Sequence, residues 1–231
     1  MKDLIKAEWF KLKKMAAYKA LFITYLVVET ATQMNNISNS VVYPQYNPTY
    51  TGAEWLGKLQ QALFLYSIVV FIFVALYVNG DFVKRTFYSG LLCGVPRKKA
   101  FLAKMVSALA GVVPLMLVPV LTGTVLWSIH AGFGMDFGVE AVCLVAKALG
   151  IQFLASLMLV SHAAFFAVLI KSRIGAFVWS FGTLYMSGVL QGNIGNIIQI
   201  PVLREILLFL LSVSYLNLGT FLAAVVLKFL A

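Results

Sequence analysis

Charge is what this sequence has least of. Of its 231 residues, 18 are Lys or Arg and 8 are Asp or Glu, 11% in all. A soluble domain carries about 25% charged residues. With 61% of residues hydrophobic, the composition is that of a polytopic membrane protein. The net charge of +10 would suit a nucleic-acid binder if it gathered on a polar domain. Instead the charges sit in short pieces between apolar runs, and no nucleic-acid partner is expected. Cysteine is nearly absent. Cys93 and Cys143 are too few for a disulfide framework, and the topology below puts them on opposite membrane faces. Histidine occurs only at positions 130 and 162, so no metal-ligand constellation forms. No GxxxxGK[ST] phosphate loop is present, so the chain is not expected to hydrolyse ATP by itself. Internal repeats and low-complexity tracts are missing too. The opening MKDLIKAEWFKLKK lacks the form of a signal peptide.

What is abundant is long apolar sequence. A spanning helix needs about 20 apolar residues. Runs of that kind cover 16–33, 60–78, 105–129, 148–170 and, shorter, 175–190. The last apolar region, 201–231, is about ten residues longer than one span needs. The expected fold is all-α, a single transmembrane domain over residues 1–231 with six transmembrane helices. Lys and Arg in short loops set the orientation. With the N-terminus cytoplasmic, 15 of the 18 basic residues lie inside, and Lys58, Lys147 and Arg204 lie outside. Both termini are then cytoplasmic.

Residues 1–15 read as an amphipathic interfacial helix. Leu4, Ile5, Trp9, Leu12 and Met15 share an arc of about 140°, with lysines on the rest. Glu8 is the exception inside the apolar arc. A basic helix of this kind with a Trp lies in the membrane interface, where each lysine gains about 1 kcal/mol near anionic lipid.

The densest positive segment, 79–104, falls between the second and third spans and faces the cytosol. It reads NGDFVKRTFYSGLLCGVPRKKAFLAK, with Lys84, Arg85, Arg97, Lys98, Lys99 and Lys104 against one acid, Asp81. A topology signal or a lipid-binding loop would need only the charges. Here Phe82, Phe87, Tyr88, Leu91 and Leu92 are interleaved with them, and the pattern predicts a short amphipathic helix over 81–92.

At these residues the chain resembles the permease subunits of ABC exporters of the ABC-2 class. The shared pattern is an acid closing the second span, Asp81, and a Thr five residues on, Thr86. Leu91 follows, then the small turn Gly94-Val95, then Arg97, and Phe101-Leu102 with Lys104 opening the third span. Arg85 and Pro96 stand where the family usually has Gly and Ser. The resemblance implies a coupling helix that docks on a separate ABC ATPase subunit, with Asp81, Lys84, Arg85, Thr86, Phe87, Tyr88, Leu91 and Arg97 as the coupling residues. ATP and magnesium would be held by that ATPase, and no cofactor by this chain. A second permease, in a homodimer or heterodimer, would complete a substrate path. The implied location is the bacterial plasma membrane, and the implied cargo an antimicrobial peptide, an antibiotic or a lipid.

Two ionisable residues fall inside spans, where charge is costly and invites a functional hypothesis. Glu29 lies about 20 Å into the first span and His162 about 12 Å from the end of the fourth, at 1.5 Å per residue. They are candidates for a substrate path. The plainer alternatives are an outer-interface carboxylate and a neutral histidine bonded to a neighbouring helix. The final region is either one long tilted span or an outer re-entrant hairpin over 191–211 followed by a sixth span, 212–231. Its excess length, Gly192, Gly195 and Pro201 suit the hairpin, and the resemblance favours it. Tyr88-Ser89-Gly90 lacks the preceding Gly of an intramembrane serine protease, and no paired-glutamate metalloprotease motif occurs, so no enzyme is expected. The alternatives to an exporter subunit are an accessory or scaffold membrane protein, and an ion-coupled carrier using Glu29 and His162.

Overall fold

The computed structural model describes residues 2–59, 63–83, 96–136, 138–170 and 172–197. Among these, every regular element is an α-helix: α1 (Lys2–Lys14), α2 (Ala16–Val42), α3 (Gly52–Gly57), α4 (Leu63–Val83), α5 (Arg97–Ala131), α6 (Val139–Ile170) and α7 (Arg173–Ile197). Three of them, α4, α5 and α6, are long and apolar enough to cross a membrane. α5 has 35 residues, about 50 Å at the helical rise, against a hydrocarbon core about 30 Å thick. It is long enough to carry its basic first turns, Arg97 to Lys104, clear of the apolar layer.

Several helix ends fall outside the expected spans. α2 continues through Met34 to Val42, because an Asn- and Ser-rich stretch can extend a helix already nucleated. α4 runs through Val83, so Asp81 lies in its last turn and does not open a separate helix. α6 starts at Val139, nine residues before the expected fourth span. α7 passes through Gly192 and Gly195 to Ile197, seven residues into the stretch assigned to a hairpin. The remainder of that hairpin and the sixth span lie outside the described residues.

The chain divides into two compact units. One comprises the described residues within 1–9, 71–108 and 158–231, the other those within 10–70 and 109–157. In the first, Phe71, Phe73, Val74 and Val78 of α4 are buried, as are Ala103 and Ala108 of α5. α6 contributes Val160, Ala163, Ala164 and Ala167, a stripe at helical spacing whose small side chains allow close helix approach. In the second, Trp55, Leu56, Leu59, Val120, Trp127 and Ala148 form the core.

α3 belongs to this second core. Thr51 and Glu54 form a reciprocal capping box at its start, each side chain bonded to the other's backbone N–H. The Gly52 and Ala53 amides donate to the carbonyls of Gly132 and Phe133, at 3.1 and 2.9 Å. Gly134 has φ +85°, a conformation that suits glycine, and a Cβ there would fall 2.5 Å from the Thr51 side chain. These contacts seat Trp55 beside Trp127, ring centroids 6.4 Å apart.

α2 buries a polar stripe, Tyr25, Glu29, Gln33 and Ser40, while Ile23, Val27, Met34 and Val41 are each more than half exposed, alongside the exposed Thr32, Asn35 and Asn36.

Candidate functional site

Three helices of the first unit each bring one or two polar groups to a single buried point. On α1 the inward stripe is Leu4, Ile5, Glu8 and Leu12, at helical spacing, with Leu12 buried and the others half-buried. Glu8 is therefore central to the stripe, and Trp9, expected within it, is 37% exposed. On α4, Tyr77 and Asp81 are one turn apart on a face otherwise made of Val70, Val74 and Val78. On α5, Lys104 sits between Phe101 and Ala108 on a stripe that continues apolar.

The side chains form one network. The Lys104 ammonium donates to Asp81 Oδ2 and pairs with Glu8 Oε2 at 3.5 Å. It also lies 4.6 Å from the centre of the Tyr77 ring. The Tyr77 hydroxyl donates to Glu8 Oε2 at 2.7 Å. The Lys104 side chain is 2% exposed, and its burial is tolerated because opposite charges and hydrogen bonds replace water. Near the network, the Arg173 guanidinium comes within 3.8 Å of where a Gly80 Cβ would stand. The Arg173 Nε and both polar atoms of the fully buried Asn79 amide have no hydrogen-bond partner among the described residues. Orphan buried groups are rare enough to mark a place of interest.

Chemically, the network is a tie. What it does is bind the N-terminal helix, the end of α4 and the start of α5 to one ammonium. Asp81 and Lys104 stand at the two ends of the basic segment, with residues 84–95 between them.

His162 lies in the same unit. Its Nε2 is 2.9 Å from the Thr183 hydroxyl and 3.3 Å from the Ser180 carbonyl, both on α7. Phe71 and Phe166 flank its ring at 5.9 and 5.2 Å. This is the histidine bonded to a neighbouring helix. Glu29, in the second unit, is 1% exposed and accepts from Gln33 Nε2 at 2.7 Å, and Gln33 Oε1 accepts from the Trp127 indole at 3.3 Å. Glu29 and His162 thus have separate sets of partners.

Of the expected coupling residues, Asp81 is in the network and Arg97 is the first residue of α5. Lys84, Arg85, Thr86, Phe87, Tyr88 and Leu91 lie outside the described residues, as does Cys93. Glu8, Tyr77 and Lys104 were not among the expected site residues. The first and last had a signal in the sequence, since each is a charge on an otherwise apolar helical stripe. Tyr77 had none, because a tyrosine in an apolar run is ordinary. No group of three or more His, Cys, Asp or Glu side chains suited to a metal occurs among the described residues.

The fold and the site together define a helical protein with three helices able to cross a membrane and a buried charge network joining α1, α4 and α5. Compared with protein-family models, curated proteins and solved structures, the chain shows no match.

Proposed function

We propose that the chain is the membrane-spanning subunit of an ATP-driven exporter, worked by a separate ATPase that docks on residues 84–95. The observation that supports this reading is the tie between Asp81 and Lys104. A segment meant to receive force needs both of its ends fixed to the helices it is to move. Here the acid that closes α4 and the lysine in the second turn of α5 are bonded to each other, so a push on the intervening residues acts on both helices. The positive-inside bias puts that segment in the cytosol, where an ATPase resides. A second permease subunit completes the path, and an antimicrobial peptide, an antibiotic or a lipid is the proposed cargo.

Aromatic residues among basic ones are typical of an interface hot spot, and truncating one costs about 2 kcal/mol or more, a loss of about thirtyfold in affinity. Phe87→Ala combined with Tyr88→Ala should release the ATPase while the chain still folds and inserts. The measurements are co-purification of an ABC ATPase with the tagged chain, and ATP-dependent efflux from cells. Wild-type levels of both in the double variant would refute the docking role of the segment. Efflux that follows a proton gradient and ignores ATP would instead point to an ion-coupled carrier.

A further inference from the structure

We propose that Glu8 is a positioning residue that makes α1 a releasable clamp on the paired ends of α4 and α5. The inference goes beyond the exporter reading and stands without it, because it concerns how α1 is held.

The two halves of the network are unequal. Asp81 and Lys104 are both deeply buried, with side chains 9% and 2% exposed, and are bonded directly. The Glu8 side chain is 25% exposed and reaches Lys104 at the longer distance of 3.5 Å. Its shorter bond is to the neutral Tyr77 hydroxyl. Asp3, Lys6, Lys11, Lys13 and Lys14 of α1 are exposed, so Glu8 is the charged group that α1 commits to its inward stripe.

Exposure favours release of this limb over the other. With α1 docked, the Glu8 and Asp81 carboxylates both face the Lys104 ammonium. When α1 lifts, Glu8 carries its negative charge into water, which already reaches it, and leaves the buried Asp81–Lys104 bond in place. The Arg173 guanidinium, which approaches Gly80 beside Asp81, makes no ion pair among the described residues and so does not tether Glu8. Leu4 and Ile5 are only half-buried, so lifting the first turns, up to the fully buried Leu12, exposes modest apolar area. The clamp therefore has two states that share an intact Asp81–Lys104 tie, as a switching element requires.

The test is hydrogen exchange followed by mass spectrometry on the purified full-length chain in detergent. Glu8→Leu, which removes both the pairing with Lys104 and the acceptor of the Tyr77 hydroxyl, should raise exchange of the amides of residues 2–9 about tenfold, and Tyr77→Phe should raise it less, with α4 and α5 left as they are. Because Glu8→Leu already breaks the Tyr77 bond, the double variant should exchange no faster than Glu8→Leu alone. Three results would overturn the proposal. One is unchanged exchange in α1 for both variants. Another is an equal rise across α1, α4 and α5, or loss of folding in both, which would make Glu8 a fixed brace. The third is additive effects in the double variant. ATPase co-purification is read separately, so failure of the clamp and failure of the docking segment are distinguishable.

Discussion

Replacing Lys104 by methionine removes the ammonium at the centre of the network and keeps the length and apolar stem of the side chain. Asp81, 6% exposed, then loses the Lys104 ammonium in a place water scarcely reaches. Breaking a buried ion pair by deleting one member costs about 3–5 kcal/mol, because the remaining charge keeps its desolvation penalty and loses its compensation. That is a large part of the 5–15 kcal/mol that about covers a folded chain's stability. Glu8 loses less, since it is partly hydrated and keeps its bond to Tyr77. For a chain of this size each kcal/mol shifts the unfolding midpoint by about 2–4 °C. The Lys104→Met protein should unfold about 6–20 °C below the parent. The assay is thermal unfolding of purified protein in detergent, followed by fluorescence. Adding Asp81→Asn should recover most of the loss, since a neutral pair in place of a buried ion pair is commonly tolerated. A single variant that melts with the parent would refute the reasoning. So would a double variant whose loss equals the sum of the two singles, because then the two residues do not act on each other.

Three further predictions concern the second unit. At Gly123 an added Cβ would lie 1.8 Å from Trp55 Nε1, so Gly123→Ala must push the indole from its seat at a cost of about 1–3 kcal/mol. It should lower the unfolding temperature and expose tryptophan to acrylamide quenching. Gly150→Ala on α6, where nothing lies within 4 Å, should leave stability unchanged or raise it by up to about 1 kcal/mol. Gln33→Leu removes the amide that joins Glu29 to Trp127, leaving a buried acceptor and a buried donor unpaired. A loss of about 1–3 kcal/mol for each is expected by thermal unfolding, and a neutral result would mean that water already serves both groups.

The helical, apolar character of this protein was legible from composition and run length, because an interior with few charges and many stretches of about 20 apolar residues has few other solutions. The cores of α4, α5 and α6 fall where those runs do. Helix ends were less legible. Asn35 to Ser40 looks like a loop by composition, yet it continues α2, since extending a helix is far cheaper than starting one. The amphipathic character of α1 was also readable, and so was the oddity of Glu8. Which side of α1 meets protein was not, because the arc containing Trp9 and the stripe containing Glu8 overlap on the helix surface. Glu29 and His162 could be singled out as costly groups, but their partners, Gln33 and Thr183, carry no sign of that role in the sequence.

What the sequence by itself determined is the solvent each segment can tolerate: apolar runs, basic connections and the one acid that closes α4. What only the tertiary structure decided is which charges meet. Glu8, Asp81 and Lys104 are 73 and 23 residues apart along the chain, in three helices, and nothing in their spacing forces them together. Packing the apolar stripes of α1, α4 and α5 brings the three to one buried place. There each charge is left with a choice between an opposite charge and a costly solitude, and pairing follows.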